Sequence, residues 1–237
     1  MKNLYIYHHL GLGDHIICNG IVRYYAEKYD KIFLFVKPRN ITNVKYLFRD
    51  NPNIKFLALD DADVKTFMSF NKSNEYLIVG ITPEWFRNLD ILKKYETFDH
   101  GFYVAANVPM EDKWNKFYFE RDLEKEKDAF YNKIGLKDNE EFIFVHDNPE
   151  QGRQFRSSTI PNDIKVINPG KYLNVGLFDF IYTMENAKQI HVMNSSFMNL
   201  IDCMQLKTGE LFLHSYARTD MGDNPNPKLK LNWTILK

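Results

Sequence analysis

Short, nearly continuous apolar runs alternate with amphipathic stretches along the first half of the chain. Residues 3–8, 31–37, 54–59 and 76–81 have the apolar and aromatic composition of buried strands. Helical stretches lie between these runs, and the first of them covers residues 14–29. Because strands that are apolar on both faces need helices on both sides of the sheet, this alternation predicts a parallel α/β sheet.

The pattern restarts after a charged, helical segment at residues 122–133. Beyond it, the sequence predicts a second set of strands and helices: strands at 142–146, 164–167, 190–193 and 210–214, helices at 175–187 and 196–205, and a final strand in the tail 223–237. Two successive β/α sets predict two Rossmann-like domains, residues 1–120 and 121–237, whose parallel sheets face each other across a cleft.

Charge and cysteine content narrow the class of protein. Lys+Arg and Asp+Glu both number 31 in 237 residues, so no global basic field attracts nucleic acid, and no nucleic-acid partner is expected. No apolar run reaches the ~20 residues of a membrane span, and no signal peptide is recognised. We therefore expect a cytoplasmic protein, with peripheral membrane contact left open. Cys18 and Cys203 fall in apolar helical patterns and are expected to be free thiols.

A turn with two glycines joins the first strand to the first helix. Gly11 and Gly13 let the backbone turn tightly and approach a ligand near the start of a helix. Ile16 occupies the position of the third glycine of a dinucleotide fingerprint, which disfavours an NAD-dependent enzyme. Asp14 would lie where the strands end and could take a proton from a hydroxyl, with His15 as the alternative base. A purely structural turn with an aspartate cap is the open alternative.

Small polar residues join a strand to a helix in the second half. Asn194, Ser195 and Ser196, with the free backbone N–H groups of the helix, would form an anion site. An ordinary serine N-cap is the alternative interpretation.

A second polar segment ends the first strand of this half. His146 closes the strand, and Arg153 and Arg156 follow in a loop that contains a glycine. Arginine can present two parallel N–H groups to phosphate oxygens, so these residues favour a diphosphate site without a metal. Solvated surface arginines are the alternative.

Three segments together carry a family resemblance. They are the turn at residues 11–14, the segment 102–109, and the helix–strand–turn–helix run over residues 178–200. In this order they resemble the heptosyltransferase-like glycosyltransferases, which have the two-domain GT-B fold. Asn199 stands near the place of a histidine in many of those enzymes, and the chain is short for the fold.

The resemblance implies a hexosyl- or heptosyltransferase that moves a sugar from a nucleotide-diphosphate donor to a hydroxyl of a glycan or lipid-linked saccharide. It implies that Asp14 is the catalytic base and that residues 194–196 hold the sugar nucleotide, which is a co-substrate. We expect inversion at the anomeric carbon, no cofactor and no metal. His100, after the aromatic stretch near residue 95, is a further candidate base.

Three alternatives remain open at this point. Asp61 and Asp63 match the D-x-D pattern of metal-dependent transferases, although acidic residues also open ordinary helices. His8, His9 and His15 lie close in sequence but lack a recognised metal-ligand spacing. The third alternative is a nucleotide- or glycan-binding module without catalytic activity.

Overall fold

The computed structural model describes residues 2–8, 10–80, 95, 97–218 and 227–237. The chain forms two compact units: unit 1 comprises Met1–Glu120 and Asn224–Lys228, and unit 2 comprises Arg121–Asp223 and Leu229–Lys237. The sequence pattern groups Lys228 with the second half, whereas its contacts group it with unit 1. Long-range hydrogen bonds hold it there: the Lys228 backbone N–H donates to the buried Asp99 carboxylate, 3.1 Å from each oxygen, and the Lys228 carbonyl accepts from Lys113 Nζ at 2.6 Å. No periodicity in the sequence signals such a contact.

Unit 1 is built on a four-stranded parallel sheet. Its strands are β1 (Asn3–Tyr7), β2 (Lys31–Val36), β3 (Ile54–Ala58) and β4 (Tyr76–Ile78), in the order β3-β2-β1-β4. Ile6 pairs with Leu34 on one side and Leu77 on the other. The predicted strands are therefore present; Ile81, the predicted end of the fourth, lies outside the described residues.

Helices and apolar side chains cover both faces of this sheet. The helices are α1 (Leu12–Ile17), α2 (Asn19–Ala26), α3 (Ile41–Leu47), α4 (Asp61–Phe70), α5 (Phe98–Ala105) and α6 (Asp112–Asn115). The predicted helix over residues 14–29 is thus two helices, interrupted at Cys18. Ile21 and Phe102 belong to one core cluster, and Tyr7 and Phe35 belong to another.

Unit 2 repeats the architecture with five parallel strands. They are β5 (Phe142–His146), β6 (Lys165–Ile167), β7 (Gln189–Val192), β8 (Glu210–His214) and β9 (Trp233–Leu236), in the order β6-β5-β7-β8-β9. Its α-helices are α7 (Leu123–Asp128), α8 (Ile181–Glu185) and α9 (Ser196–Met204). A buried aspartate ties the last strand to the unit, because Asp202 accepts hydrogen bonds from the Lys230 N–H and the Trp233 Nε1–H.

Each sheet has one point at which the strand order changes direction. In unit 1 this switch lies between β1 and β4, and in unit 2 it lies between β5 and β7. Parallel α/β sheets bind ligands beyond the carboxyl ends of the strands at such points. The loops after β1 and β4, and those after β5 and β7, are therefore where a functional site is expected.

Two predictions about the environment of the chain can be compared with the structure. No helix in the described part of the chain is long and apolar enough to cross a membrane. Cys18 and Cys203 are both buried and are not joined by a disulfide bond.

Candidate functional site

The glycine turn of unit 1 follows β1 directly, at the switch point. Gly11 precedes α1 and accepts a hydrogen bond from the His15 N–H at 3.1 Å, while Gly13 lies half-buried in the first turn of the helix. The Asn40 side chain, from the loop after β2, donates to the Leu10 carbonyl at 2.8 Å and fixes the entry to the turn.

The side chain of Asp14 folds back over this turn. A Cβ atom placed on Gly11 would lie 2.5 Å from the Asp14 Oδ2 atom, well inside van der Waals contact. Position 11 therefore has to be glycine for the Asp14 carboxylate to lie where it does. The glycine and the aspartate form one local unit, and the carboxylate is half-buried at the edge where β1 ends.

His15, the alternative base, is fully buried behind the turn. Neither of its ring nitrogens has a hydrogen-bond partner among the described residues, and its ring centroid lies 4.4 Å from that of His8. Burial, with a smaller effect from His8, lowers the pKa of His15 well below its usual value. The imidazole is therefore neutral at physiological pH and a weak base. His9 lies outside the described residues.

Asp61, the first acidic residue of the D-x-D pattern, already has two partners. Lys37 Nζ lies 2.8 Å from Asp61 Oδ2, and the Tyr7 hydroxyl donates to Asp61 Oδ1 at 3.1 Å. Burial and the adjacent carboxylate raise the pKa of Tyr7, so the hydroxyl remains a donor. Across the described residues, no group of three or more His, Cys, Asp or Glu side chains is arranged to hold a metal ion.

His100 lies in the first turn of α5. Its backbone N–H donates to the Thr97 Oγ1 atom at 3.4 Å, and its ring lies 6.0 Å from that of Tyr95. No hydrogen bond or ring contact between His100 and the glycine turn is present among the described residues.

His146 and Ser195 meet at the switch point of unit 2. The Ser195 Oγ atom lies 3.2 Å from His146 Nδ1, although 49 residues separate the two in sequence. Ser195 precedes α9, but its side chain makes no capping hydrogen bond. Burial lowers the pKa of His146 to about 4, so the ring is neutral and offers a hydrogen-bonding partner without a charge. The first turn of α9 thus lacks the side-chain cap that a serine usually supplies.

A cavity of about 650 Å³ opens beside this pair. Its walls combine polar and apolar side chains from the ends of β5 and β6 and the start of α9, among them His146, Asp147, Asn168, Lys171, Ser196 and Phe197. The Asn168 side chain is fixed at both ends, since its Nδ2 donates to Asp147 Oδ1 and its Oδ1 accepts from the Gly170 N–H, both at 2.9 Å. The volume lies in the range of small-molecule sites.

The two predicted phosphate-binding arginines lie elsewhere in the loop after β5. The backbone of Arg153 pairs with that of Asn148 through two hydrogen bonds of 2.9 Å. The guanidinium of Arg156 lies over the Tyr216 ring, 4.1 Å from its centroid, and donates to the Lys237 carbonyl at 3.1 Å. Neither arginine lines the cavity.

The sequence analysis did not select two further polar residues at the carboxyl edge of the sheet of unit 2, Arg218 and Asn168. Arg218 donates to the Asn194 carbonyl at 2.7 Å and so contacts the turn before α9. Asn168 lines the cavity. Both follow the ends of strands, so the rule that ligands bind beyond strand ends could have singled them out.

The strand orders define the class: a protein with two Rossmann-like α/β units, in which a ligand is expected beyond the strand ends at the switch points. The crystal structure of the glycosyl transferase family 9 from Veillonella parvula DSM 2008 has a similar fold, with a TM-score of 0.54 and 13% sequence identity over 90% of this chain and 80% of that chain. No protein-family model matches the chain, and the comparison with curated proteins finds no match. The structural likeness confirms the predicted α/β fold with two parallel sheets, and the structure that the chain resembles is that of a family 9 glycosyl transferase.

Proposed function

We propose that this protein is a glycosyltransferase that moves a sugar from a nucleotide-diphosphate sugar to a hydroxyl of a glycan or lipid-linked saccharide. The observation that supports it most is the cavity of about 650 Å³ at the switch point of unit 2, beside a helix start without a side-chain cap. The fold likeness to a family 9 glycosyl transferase supports the same class of activity.

The cavity offers the chemistry that a sugar nucleotide needs. The free N–H groups at the start of α9 and the Ser196 hydroxyl suit a diphosphate, and the Lys171 ammonium adds positive charge. Asp147 and the fixed Asn168 amide supply acceptors and donors for hydroxyl groups. Phe197 supplies an apolar wall. Arg153 and Arg156 do not line the cavity, and we propose that they approach the departing diphosphate from the loop after β5.

Asp14 is proposed as the base that activates the acceptor. Its carboxylate removes the proton of the acceptor hydroxyl while the oxygen bonds to the anomeric carbon of the donor. The bond between that carbon and the diphosphate oxygen breaks, its electron pair leaves with the nucleoside diphosphate, and attack from the opposite face inverts the anomeric configuration. His15 is less suited, because it is buried and its pKa lies well below the usual value. His100 remains a candidate for a supporting role.

Transfer without a metal is part of the proposal. The Asp61 carboxylate is engaged by Lys37 and Tyr7, which leaves it poorly placed to ligate a cation. The proposed diphosphate ligands are N–H groups and cationic side chains instead, which provide electrostatic stabilisation of the leaving group.

A thermal-shift screen against nucleoside diphosphates and sugar nucleotides tests the proposal. A ligand at 100 times its Kd stabilises the native state by about 2.7 kcal/mol, which raises Tm by several degrees. Each ligand is measured with EDTA and with Mn²⁺. A shift with one nucleoside diphosphate in EDTA is expected and would identify the donor class. A shift that requires Mn²⁺ would contradict metal-independent transfer, and no shift with any of them would contradict the proposed function.

A further inference from the structure

A chain of hydrogen bonds runs through the interior of unit 2 from one end of its sheet to the other. His191 Nδ1 lies 3.0 Å from His214 Nε2, and His214 Nδ1 lies 2.9 Å from the Tyr216 hydroxyl. At the start of β7, His191 Nε2 lies 3.3 Å from Gln189 Oε1. Beyond the end of β8, the Tyr216 oxygen accepts a hydrogen bond from the backbone N–H of Arg156 at 2.9 Å. Both histidines are buried. We call these four side chains, Gln189, His191, His214 and Tyr216, the relay.

One set of protons satisfies the whole relay. Because the backbone N–H of Arg156 donates to the Tyr216 oxygen, the Tyr216 hydroxyl can donate its own proton to His214 Nδ1. His214 then carries its proton on Nε2 and donates to His191 Nδ1, and His191 Nε2–H donates to Gln189 Oε1. Gln189 Nε2 in turn donates to Glu210 at 2.7 Å. These directions are mutually consistent along the relay. The Tyr216 oxygen also lies 3.5 Å from Thr159 Oγ1, but His214 Nδ1, at 2.9 Å, is the nearer acceptor for the Tyr216 hydroxyl.

Aromatic packing holds the same groups in place. The Phe155 ring stacks on His214, with a centroid distance of 3.8 Å and an interplanar angle of 5°. His191 stacks on Phe212 at 4.5 Å and 6°. Phe155 immediately precedes Arg156, so stacking and the Tyr216 hydrogen bond hold two successive residues of the loop after β5.

Tyr216 also determines how the Arg156 guanidinium is presented. The Arg156 Cζ atom lies over the Tyr216 ring, 4.1 Å from its centroid, so a cation–π contact holds the guanidinium. A guanidinium has five N–H donors, and among the described residues Arg156 is seen to use one of them, towards the Lys237 carbonyl. The remaining N–H groups suit a planar or tetrahedral anion.

We propose that Tyr216, oriented through His214 and His191, is a positioning residue that holds the Arg156 guanidinium for the diphosphate of a sugar nucleotide. The inference rests on the proposed function for the identity of the anion. Packing alone does not explain why histidines occupy positions 191 and 214, because an apolar residue at either position would fill the sheet interior without a hydrogen bond. The proposal explains them by the orientation of Tyr216.

The first experiment tests the relay without any ligand. ¹⁵N NMR of the imidazoles is expected to show His191 and His214 both protonated on Nε2. Amide hydrogen exchange at Arg156 is expected to be about fivefold faster in Tyr216→Phe, which loses the acceptor but keeps the ring. Tyr182→Phe is the matched control, because it removes a hydroxyl elsewhere in unit 2 and should leave this exchange rate unchanged. A proton on His214 Nδ1, or equal exchange at Arg156 in Tyr216→Phe and wild type, would overturn the relay.

The second experiment measures the Kd of the nucleoside diphosphate that gives the largest thermal shift. Arg156→Ala and Tyr216→Leu are each expected to weaken binding about tenfold, and the double variant should be no weaker than Arg156→Ala alone. His191→Phe, which should fold because it keeps an aromatic ring, is expected to weaken binding about threefold through Tyr216. Nucleotide binding that Arg156→Ala or Tyr216→Leu leaves unchanged would overturn the inference but not the proposed function. Wild-type protein that binds no nucleoside diphosphate would instead overturn the proposed function and, with it, the diphosphate role of Arg156.

Discussion

The switch point of unit 1 is built from one short piece of chain, whereas that of unit 2 is assembled from several. In unit 1, Gly11 and Asp14 are three residues apart, and the position of the carboxylate depends directly on the missing side chain at Gly11. In unit 2, Ser195 contacts His146 across 49 residues, and Asn168 contacts Asp147 across 21. The first arrangement depends on local backbone geometry. The second depends on the folded sheet bringing strand ends together.

This difference fits the two tasks proposed for the units. A base acts through one atom whose position must be exact to a few tenths of an ångström, and a tight turn can supply that locally. A sugar nucleotide is large and contacts many groups, so its site draws on several loops. Substitutions in unit 1 should therefore affect turnover more than binding, and substitutions in unit 2 should affect binding more than turnover.

Asp14→Asn is expected to have the largest effect. It keeps the size and most contacts of the side chain but removes the basic carboxylate, so turnover should fall by about 10²–10⁴-fold. The Kd of the nucleoside diphosphate should change less than twofold. The measurement is release of nucleoside diphosphate in the presence of acceptor, beside a binding titration. Equal loss of binding and turnover would show that Asp14 is not the base.

Gly11→Ala should reduce turnover by about 10- to 100-fold by displacing the Asp14 carboxylate, with little change in Tm. The added Cβ would lie 2.5 Å from Asp14 Oδ2, and a flexible carboxylate moves more easily than the backbone. The double variant Gly11→Ala/Asp14→Asn is the control: if Gly11 acts only through Asp14, the double variant should be no slower than Asp14→Asn. Additive losses would contradict the coupling.

The buried histidines predict how stability depends on pH. The pKa values of His146, His191 and His214 are lowered to about 4 by burial, against about 6.5 in an unfolded chain. Between these pKa values the unfolded state binds more protons than the native state. The free energy of unfolding is therefore highest above pH 6.5 and falls as the pH drops towards 4. We expect a loss of about 2 kcal/mol for each of the three histidines between pH 7 and pH 5, measured by urea denaturation. A constant free energy of unfolding across this range would show that these rings are not held neutral.

Ser195→Ala should have the smallest effect, a three- to tenfold weaker binding of nucleoside diphosphate with turnover at saturation nearly unchanged. It removes one hydrogen bond, to His146, worth about 0.5–1.5 kcal/mol. Ser69→Ala, the same change on an exposed helix of unit 1, is the control and should alter neither quantity. A large fall in turnover at saturation would indicate that Ser195 acts in catalysis, which would reverse the assignment of roles to the two units.

The apolar patterns of the sequence were sufficient to predict the strands. Residues 142–146 and 210–214 form β5 and β8 with the predicted bounds, because a buried parallel strand needs a continuous apolar run. The sequence predicted a single helix over residues 14–29, whereas the structure has two helices. The break at Cys18 could not be predicted, because the amphipathic pattern continues through it. For the site, position after a strand end was enough to select Asp14, His146 and Ser195 as candidates. Their proposed roles stay predictions.

Contacts between distant residues were beyond the reach of the same reasoning. The sequence contains His191, His214 and Tyr216 but does not indicate that they form one hydrogen-bonded chain to Arg156. It likewise does not indicate that Ser195 would contact His146 rather than cap its own helix. Each of these contacts depends on the strand order β5-β7-β8, which brings neighbouring strands together regardless of their separation in the chain.

By itself the sequence determined two parallel α/β sheets and the glycine turn at Gly11, because local periodicity and backbone geometry are properties of neighbouring residues. Only the tertiary structure decided which side chains share the edges of those sheets, where the cavity of unit 2 opens, and that Lys228 belongs with Asp99 in unit 1. The physical reason is that a hydrogen bond or a cavity wall depends on distances of a few ångströms, and those are set by the order and register of the strands.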